Sequence, residues 1–307
     1  LSPSADSGLI LSLGAHEMLQ TCHDGIVGSS TLITVAPTGA ESAKADAPSL
    51  PVTLDELVST AKACEAAGAG LIHIHIRDEH TAPTLDLGRL KETVAAVREA
   101  TDLVVQLSTG GAVTDPYDAR IRVLDADPDS CSLTCGTVNF GSDIFMNPWD
   151  FMVELYRRTK ELEVVPEFEL FDLGHVTALN RLLDKEGLPY GGKIHCDLVL
   201  GVPGGAPGTA AAVVAMVQAL PAGASWSATG VGRSTMPVAL AALSAGGHLR
   251  VGMEDTLTYS PGRPVRDNAE LVERAANLAH LALRPPMSTS EARHLLNIKD
   301  RRNGEST

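Results

Sequence analysis

Read for alternation of apolar and polar positions, the chain breaks into short β-branched runs separated by longer amphipathic stretches. A period of two predicts a strand, and a period near 3.6 predicts a helix. Strands are expected at 32–36, 71–77, 103–108, 130–134, 164–170, 193–198, 225–228 and 249–253. Helices are expected at 54–67, 88–100, 118–124, 148–162, 176–186, 209–220, 235–245 and 268–283, with one more short pattern at 290–296. The first helix carries its own punctuation, with Pro51-Val52-Thr53 as an N-cap region and Gly68 as a stop. Strict alternation of eight strands with eight helices predicts a closed parallel (β/α)8 TIM barrel rather than an open doubly wound sheet. No Pro/Ser-rich linker divides the chain, so residues 31–307 are expected to form one barrel domain. Residues 1–30 lack a periodic pattern and are expected to be an N-terminal extension.

Composition narrows the picture. The length of 307 residues suits one such barrel, a fold of typically ~250 residues that tolerates insertions. A formal net charge of −14 would be repelled by nucleic acid and by anionic membrane, so neither is expected as a partner. There is no run of about 20 apolar residues to span a bilayer. The apolar stretch 8–14 is short and lacks a basic flank, which argues against a signal peptide. Five scattered cysteines argue against a disulfide framework and for a reducing, cytoplasmic setting.

In a barrel of this kind chemistry sits at the C-terminal ends of the strands. The second strand reads Leu71-Ile72-His73-Ile74-His75-Ile76, placing His73 and His75 on one face opposite the isoleucines. Two imidazoles at i, i+2 can turn one nitrogen each towards a single ion. On the eighth strand Arg250 and Glu254 share inward parity, with Asp255 at the strand end. Two histidines and a carboxylate with a position left open make the usual ligand set of a catalytic zinc; the plainer alternative for Glu254 is an ion pair with Arg250. Ser108-Thr109-Gly110-Gly111 after strand three suits a carboxylate, since glycines let N–H groups approach an anion. Thr137 and Asn139 after strand four could add donors, or serve only as loop residues. Glu167 and Glu169 share inward parity on strand five, and Glu41 follows strand one. These carboxylates could meet an ammonium or hydroxyl of a substrate, or pair with Arg77, Lys44 or Arg250. Thr229-Gly230-Val231-Gly232-Arg233-Ser234 reads as a backbone nest in which Arg233 could hold a phosphate. His195 is inward with Lys193 and Asp197 on strand six and is expected to be a satisfied core residue; His175, His248 and His280 have no supporting pattern, and Cys131 and Cys135 read as packing.

Seven ordered blocks carry a wider resemblance: Thr34 to Glu41, His73 to Asp78, Ser108 to Gly111, Gly136 to Gly141, Glu169 to Asp172, Gly201 to Gly205 and Arg250 to Asp255. Through them the body of the chain resembles the β-keto acid cleavage enzymes, the zinc-dependent family that includes 3-keto-5-aminohexanoate cleavage enzyme. The resemblance implies a (β/α)8 barrel in a homotetramer, with zinc on His73, His75 and Glu254. It implies transfer of the acyl part of a β-keto acid to the CoA of acetyl-CoA, with acetoacetate as the second product. Asp255, paired with Arg250, would remove the C2 proton; Ser108, Thr137 and Asn139 would grip the substrate carboxylate. Glu41 and Glu169 would meet its variable end. Strand six, with Lys193, His195 and Asp197, is more polar than the resemblance leads one to expect. Two rival readings are a zinc hydrolase of the amidohydrolase type, which would want a histidine where strand five has Glu169, and a non-catalytic barrel that binds an acyl-CoA or β-keto acid.

Overall fold

The computed structural model describes residues 29–301 of the chain. The expected extension at 1–30, except its last two residues, lies outside the described residues, as does Cys22. Eight parallel strands close into a barrel in chain order: β1 (Ile33–Val35), β2 (Leu71–Ile74), β3 (Val104–Leu107), β4 (Ser130–Thr134), β5 (Val165–Leu170), β6 (His195–Leu200), β7 (Ser225–Gly230) and β8 (His248–Val251). Between and after them run α1 (Leu54–Ala67), α2 (Leu87–Ala100), α3 (Tyr117–Arg122), α4 (Trp149–Glu161), α5 (Leu173–Glu186), α6 (Ala210–Ala219), α7 (Thr235–Ser244), α8 (Asn268–Leu281) and α9 (Thr289–Leu296). The barrel expected from alternation is therefore the fold.

Helix α1 has the bounds its sequence announces. Thr53 and Glu56 form a reciprocal capping box, and Gly68 ends the helix in the left-handed region at φ 110°. Departures occur where a strand meets its loop. The run expected to be continuous over 71–77 breaks at His75, and Ile76–Arg77 pairs instead with Pro83–Thr84 in a hairpin. Strand six lies two residues further on than expected, so Lys193 is exposed outside it and Val199 is inside. The third helix is shorter than expected, its last turn tightening into a 3-10 helix over Val123–Ala126. The eighth strand stops at Val251, so Glu254 and Asp255 stand on the turn that follows it.

Parity sorts the sheet into two faces. Ile33, Val35, Ile72, Ile74, Val105, Leu107, Phe168 and Leu170 point outward into one apolar core shared with the helices. The inward face is polar almost throughout: Thr34, His73, Gln106, Ser130, Ser132, Glu167, His195, Asp197, Ser227 and Arg250 are all buried. At the N-terminal end Leu32, Leu71, Val104 and Val165 meet Ala292 and Leu296 of α9, which closes the barrel from below. Among the described residues no helix is long and apolar enough to cross a membrane.

Candidate active site

The site grows from the parity of β2. His73 lies opposite Gln106 in the β2–β3 ladder, and its Nδ1 sits 2.6 Å from Gln106 Oε1. Gln106 spends its amide N–H on Ser130 Oγ at 3.2 Å, so its oxygen faces the imidazole and the ring proton belongs on Nδ1. That leaves the His73 Nε2 lone pair directed at the mouth. His75, at the break of the strand, brings its own Nε2 to the same place: Glu254 Oε1 is 3.9 Å from His73 Nε2 and 3.7 Å from His75 Nε2. Burial, with the nearby Arg250 charge adding to it, holds the His73 imidazole below its ordinary range; burial does the same to His75. Both rings are therefore neutral ligands in waiting.

Glu254 reaches them because the β8 turn is pinned to β1. Its N–H donates to Ala36 O at 3.1 Å, and Gly252 packs so close that a Cβ there would lie 1.9 Å from the same oxygen. Gly39, at φ +63°, passes over Glu254, where a Cβ would come within 2.6 Å of its Cγ. Burial raises the Glu254 carboxyl, but Arg250, joined by the two imidazoles once they are protonated in acid, outweighs it and brings it down to about 2. His73, His75 and Glu254 each offer one atom, all within 4.8 Å of one another. Glu254 Oε2 is buried and has no hydrogen-bond donor among the described residues. Two neutral imidazoles, one ionised carboxylate and an orphaned oxygen fit a divalent cation.

Beside this group Arg250 holds four carboxylates. Its Nε and Nη2 donate to the two oxygens of Asp255 at 3.3 and 3.1 Å, Nη2 also reaches Glu254 at 2.5 Å, and Nη1 meets Glu169 at 3.2 Å and Asp197 at 3.9 Å. Burial pushes the Asp255 carboxyl up to about 7 against the pull of Arg250. An acid in that range is matched to proton transfer at neutral pH.

One cavity of about 120 Å³ joins these groups. Of the residues expected in a site, His73, His75, Glu41, Ser108, Glu169, Arg250, Glu254 and Asp255 line it. Glu169 does so with both oxygens engaged, Oε1 by Arg250 and Oε2 by Thr134 Oγ1 at 2.7 Å. Glu41 is exposed at the rim; Lys44 pairs with Glu56 instead, and the Arg77 guanidinium, close enough to feel the Glu41 charge, spends its hydrogen bonds on the carbonyls of Gly39 and Ser42. Thr137 and Asn139 are not among the lining residues. Both are exposed, Thr137 Oγ1 accepting the Asn147 N–H and Asn139 lying against Gly204. Arg233 is likewise exposed outside the lining, on the Gly232–Ser234 turn whose Gly232 N–H donates to Asp255 O. His195 sits deep in the barrel, bonded to Ser225 and Ser227 and 3.3 Å from Glu167, far from the role a hydrolase of the amidohydrolase type would give it.

Sequence reasoning missed Gln106 and the apolar side of the cavity, which Phe140, Phe145, Phe171, Val199, Val202 and Val231 supply. It also missed His248, whose Nδ1 accepts the Leu32 N–H at 3.1 Å, and His175, whose Nδ1 accepts that of Phe171 at 3.2 Å.

A closed barrel that gathers two imidazoles, several carboxylates and a guanidinium in one cavity at its C-terminal mouth falls in the class of barrel enzymes. Residues 30–298 match the family described as beta-keto acid cleavage enzyme, and the chain belongs to that family. It is 37% identical over 269 residues to a 3-keto-5-aminohexanoate cleavage enzyme of Acetoanaerobium sticklandii, covering 87% of this chain and 98% of the relative. A protein of Cupriavidus necator named 3-oxoadipate:acetyl-CoA acetyltransferase is 31% identical over 271 residues, with 87% and 94% covered. Among solved structures, apo ObcA superposes with a TM-score of 0.72 at 20% identity, over 82% of this chain and 66% of that one, a likeness of fold.

Proposed function

We propose that the chain cleaves a β-keto acid at the expense of acetyl-CoA, giving acetoacetate and a new acyl-CoA, with zinc held by His73, His75 and Glu254. The observation that carries this reading is that the three prospective ligands and the Arg250–Asp255 pair open onto one cavity. When bound there, the ion supplies Lewis acidity at the substrate's keto oxygen.

Asp255 takes the C2 proton, which a flanking ketone and carboxylate already make acidic. Arg250 keeps that carboxylate aimed through two N–H donors. Ser108 grips the substrate carboxylate: the Gly110 N–H donates to its Oγ at 3.2 Å, leaving the hydroxyl hydrogen to point at the ligand. The C2 carbanion attacks the acetyl carbonyl and expels the CoA thiolate. The thiolate then adds to the original keto carbon, and the bond from that carbon to C2 breaks. Asp255 returns its proton to C2 of acetoacetate. Arg233, whose turn is tied to the Asp255 carbonyl, meets the phosphates of CoA.

The test is a panel of β-keto acids with acetyl-CoA, followed by mass for new acyl-CoA, alongside elemental analysis of the purified protein. Zinc near one equivalent and a new acyl-CoA are expected, and His73→Ala should lose both together. Asp255→Asn should keep the metal yet lose deuterium wash-in at C2. Full turnover by protein stripped of divalent metal would overturn the reading.

A further inference from the structure

The named relatives differ in what lies beyond the keto carbon, so tail recognition has to be read from this chain's own cavity. The prospective metal ligands and Asp255 come from β2, the break at its end and the β8 turn. The opposite sector comes from the end of β6 and from the segments that follow β4 to β7: Phe140 and Phe145 on the Val138–Phe140 and Asp143–Phe145 hairpin, then Phe171, Val199, Val202 and Val231. Glu169 is the one charged lining residue contributed there, and both its oxygens are already bonded to Arg250 and Thr134. The sector therefore offers a ligand hydrocarbon and no free counter-charge; the exposed Glu41 carboxylate reaches the same cavity from the loop after β1, on the side of the prospective metal ligands.

It is also a wall and not an open cage. Phe140, Phe145 and Phe171 meet edge to face, with centroids 6.2, 6.2 and 6.4 Å apart and planes 70–78° to each other, separations at which aromatic rings pack against one another. The Arg120 guanidinium lies 5.0 Å from the Phe145 centroid and donates to the carbonyls of Thr109 and Met146, which anchors the hairpin. His175 fixes the backbone of Phe171. The surface is thus preformed.

We propose that this wall is the tail subsite, and that it selects β-keto acids with a short, uncharged aliphatic tail while disfavouring an ammonium or carboxylate there. The inference rests on the catalytic reading above. A charge pressed against these side chains would lose its hydration with nothing in return. Each methylene seated on them should gain roughly fourfold in kcat/KM, until the cavity is full.

The experiment compares 3-oxohexanoate with its 5-amino derivative and with 3-oxoadipate, each with saturating acetyl-CoA. A preference of at least about tenfold in kcat/KM for the uncharged acid is expected. Phe140→Ala and the near-isosteric Val199→Thr should raise KM for the keto acid without moving KM for acetyl-CoA. Equal or better turnover of the charged acids would overturn the proposal. So would variants that shift only the acetyl-CoA KM, because the wall would then serve the pantetheine arm. Absence of product with every tail would sink the catalytic reading instead; calorimetric binding of the same acids to the zinc-loaded protein would still rank the tails and decide for or against the wall.

Discussion

Gln106 decides which nitrogen His73 turns towards the mouth. Its carbonyl holds the Nδ1 proton, and Ser130 holds the other end of its amide. Gln106→Leu keeps the volume and removes that restraint, so metal affinity should fall about 10- to 100-fold. Competition with a chelator measures this, and an unchanged affinity would show that the ring orients itself. The histidine pair, Glu254 and the Arg250–Asp255 pair were legible because each set lies within a few residues of chain at a strand end: parity aims His73 and Arg250 inward, and His75, Glu254 and Asp255 follow within a turn. Gln106 was not, because it stands 33 residues from His73 and meets it only through the β2–β3 register. Thr137 and Asn139 illustrate the converse. They follow directly on β4, but the hairpin that begins there carries them out of the cavity lining, and parity does not extend through a loop.

At the level of elements, the end of β8 is the part on which the site depends most. Continued parity expects Glu254 inside as a strand residue, and it is inside, yet the strand has already ended at Val251. The turn succeeds because Gly252 lets the chain touch Ala36 O, which also receives the Glu254 N–H. A glycine at such a place marks close backbone approach. Gly252→Ala would force β8 away from β1, costing about 1–3 kcal/mol in denaturant unfolding. It should also weaken metal binding, since Glu254 moves with the turn. Loss of stability with full metal affinity would mean that the carboxylate finds its place independently. Helix α1, by contrast, was legible to the residue, because Thr53 and Gly68 act locally.

For the whole molecule, the barrel carries its apolar face outward and its polar face inward, so burial of the inner groups bears on stability as well as chemistry. His248 shows how. Burial, with His195 and Arg284 adding to it, lowers its imidazole to about 3. The unfolded chain titrates near 6.5. The group's contribution is therefore complete above about pH 6.5 and is lost as pH falls towards 3, because the unfolded chain takes up a proton that the fold refuses. Between about pH 7 and pH 5 this one residue should cost about 2 kcal/mol. Urea unfolding at both pH values checks it, and His248→Asn should flatten the slope. A stability unchanged over that interval would remove the argument. Closure of the barrel was legible from eight alternating units. The pairing of His248 with Leu32 was not, since it joins residues 216 apart that only closure makes neighbours.

The ring of acids around Arg250 has a practical consequence. One guanidinium serves Glu169, Asp197, Glu254 and Asp255, so the assembly is short of positive charge in just the place where a dication would sit. Such an ion would fasten the mouth like a rivet, joining β2 to the β8 turn. Protein purified in a strong chelator should consequently melt several degrees lower than protein kept with zinc, and the difference should vanish in Glu254→Gln.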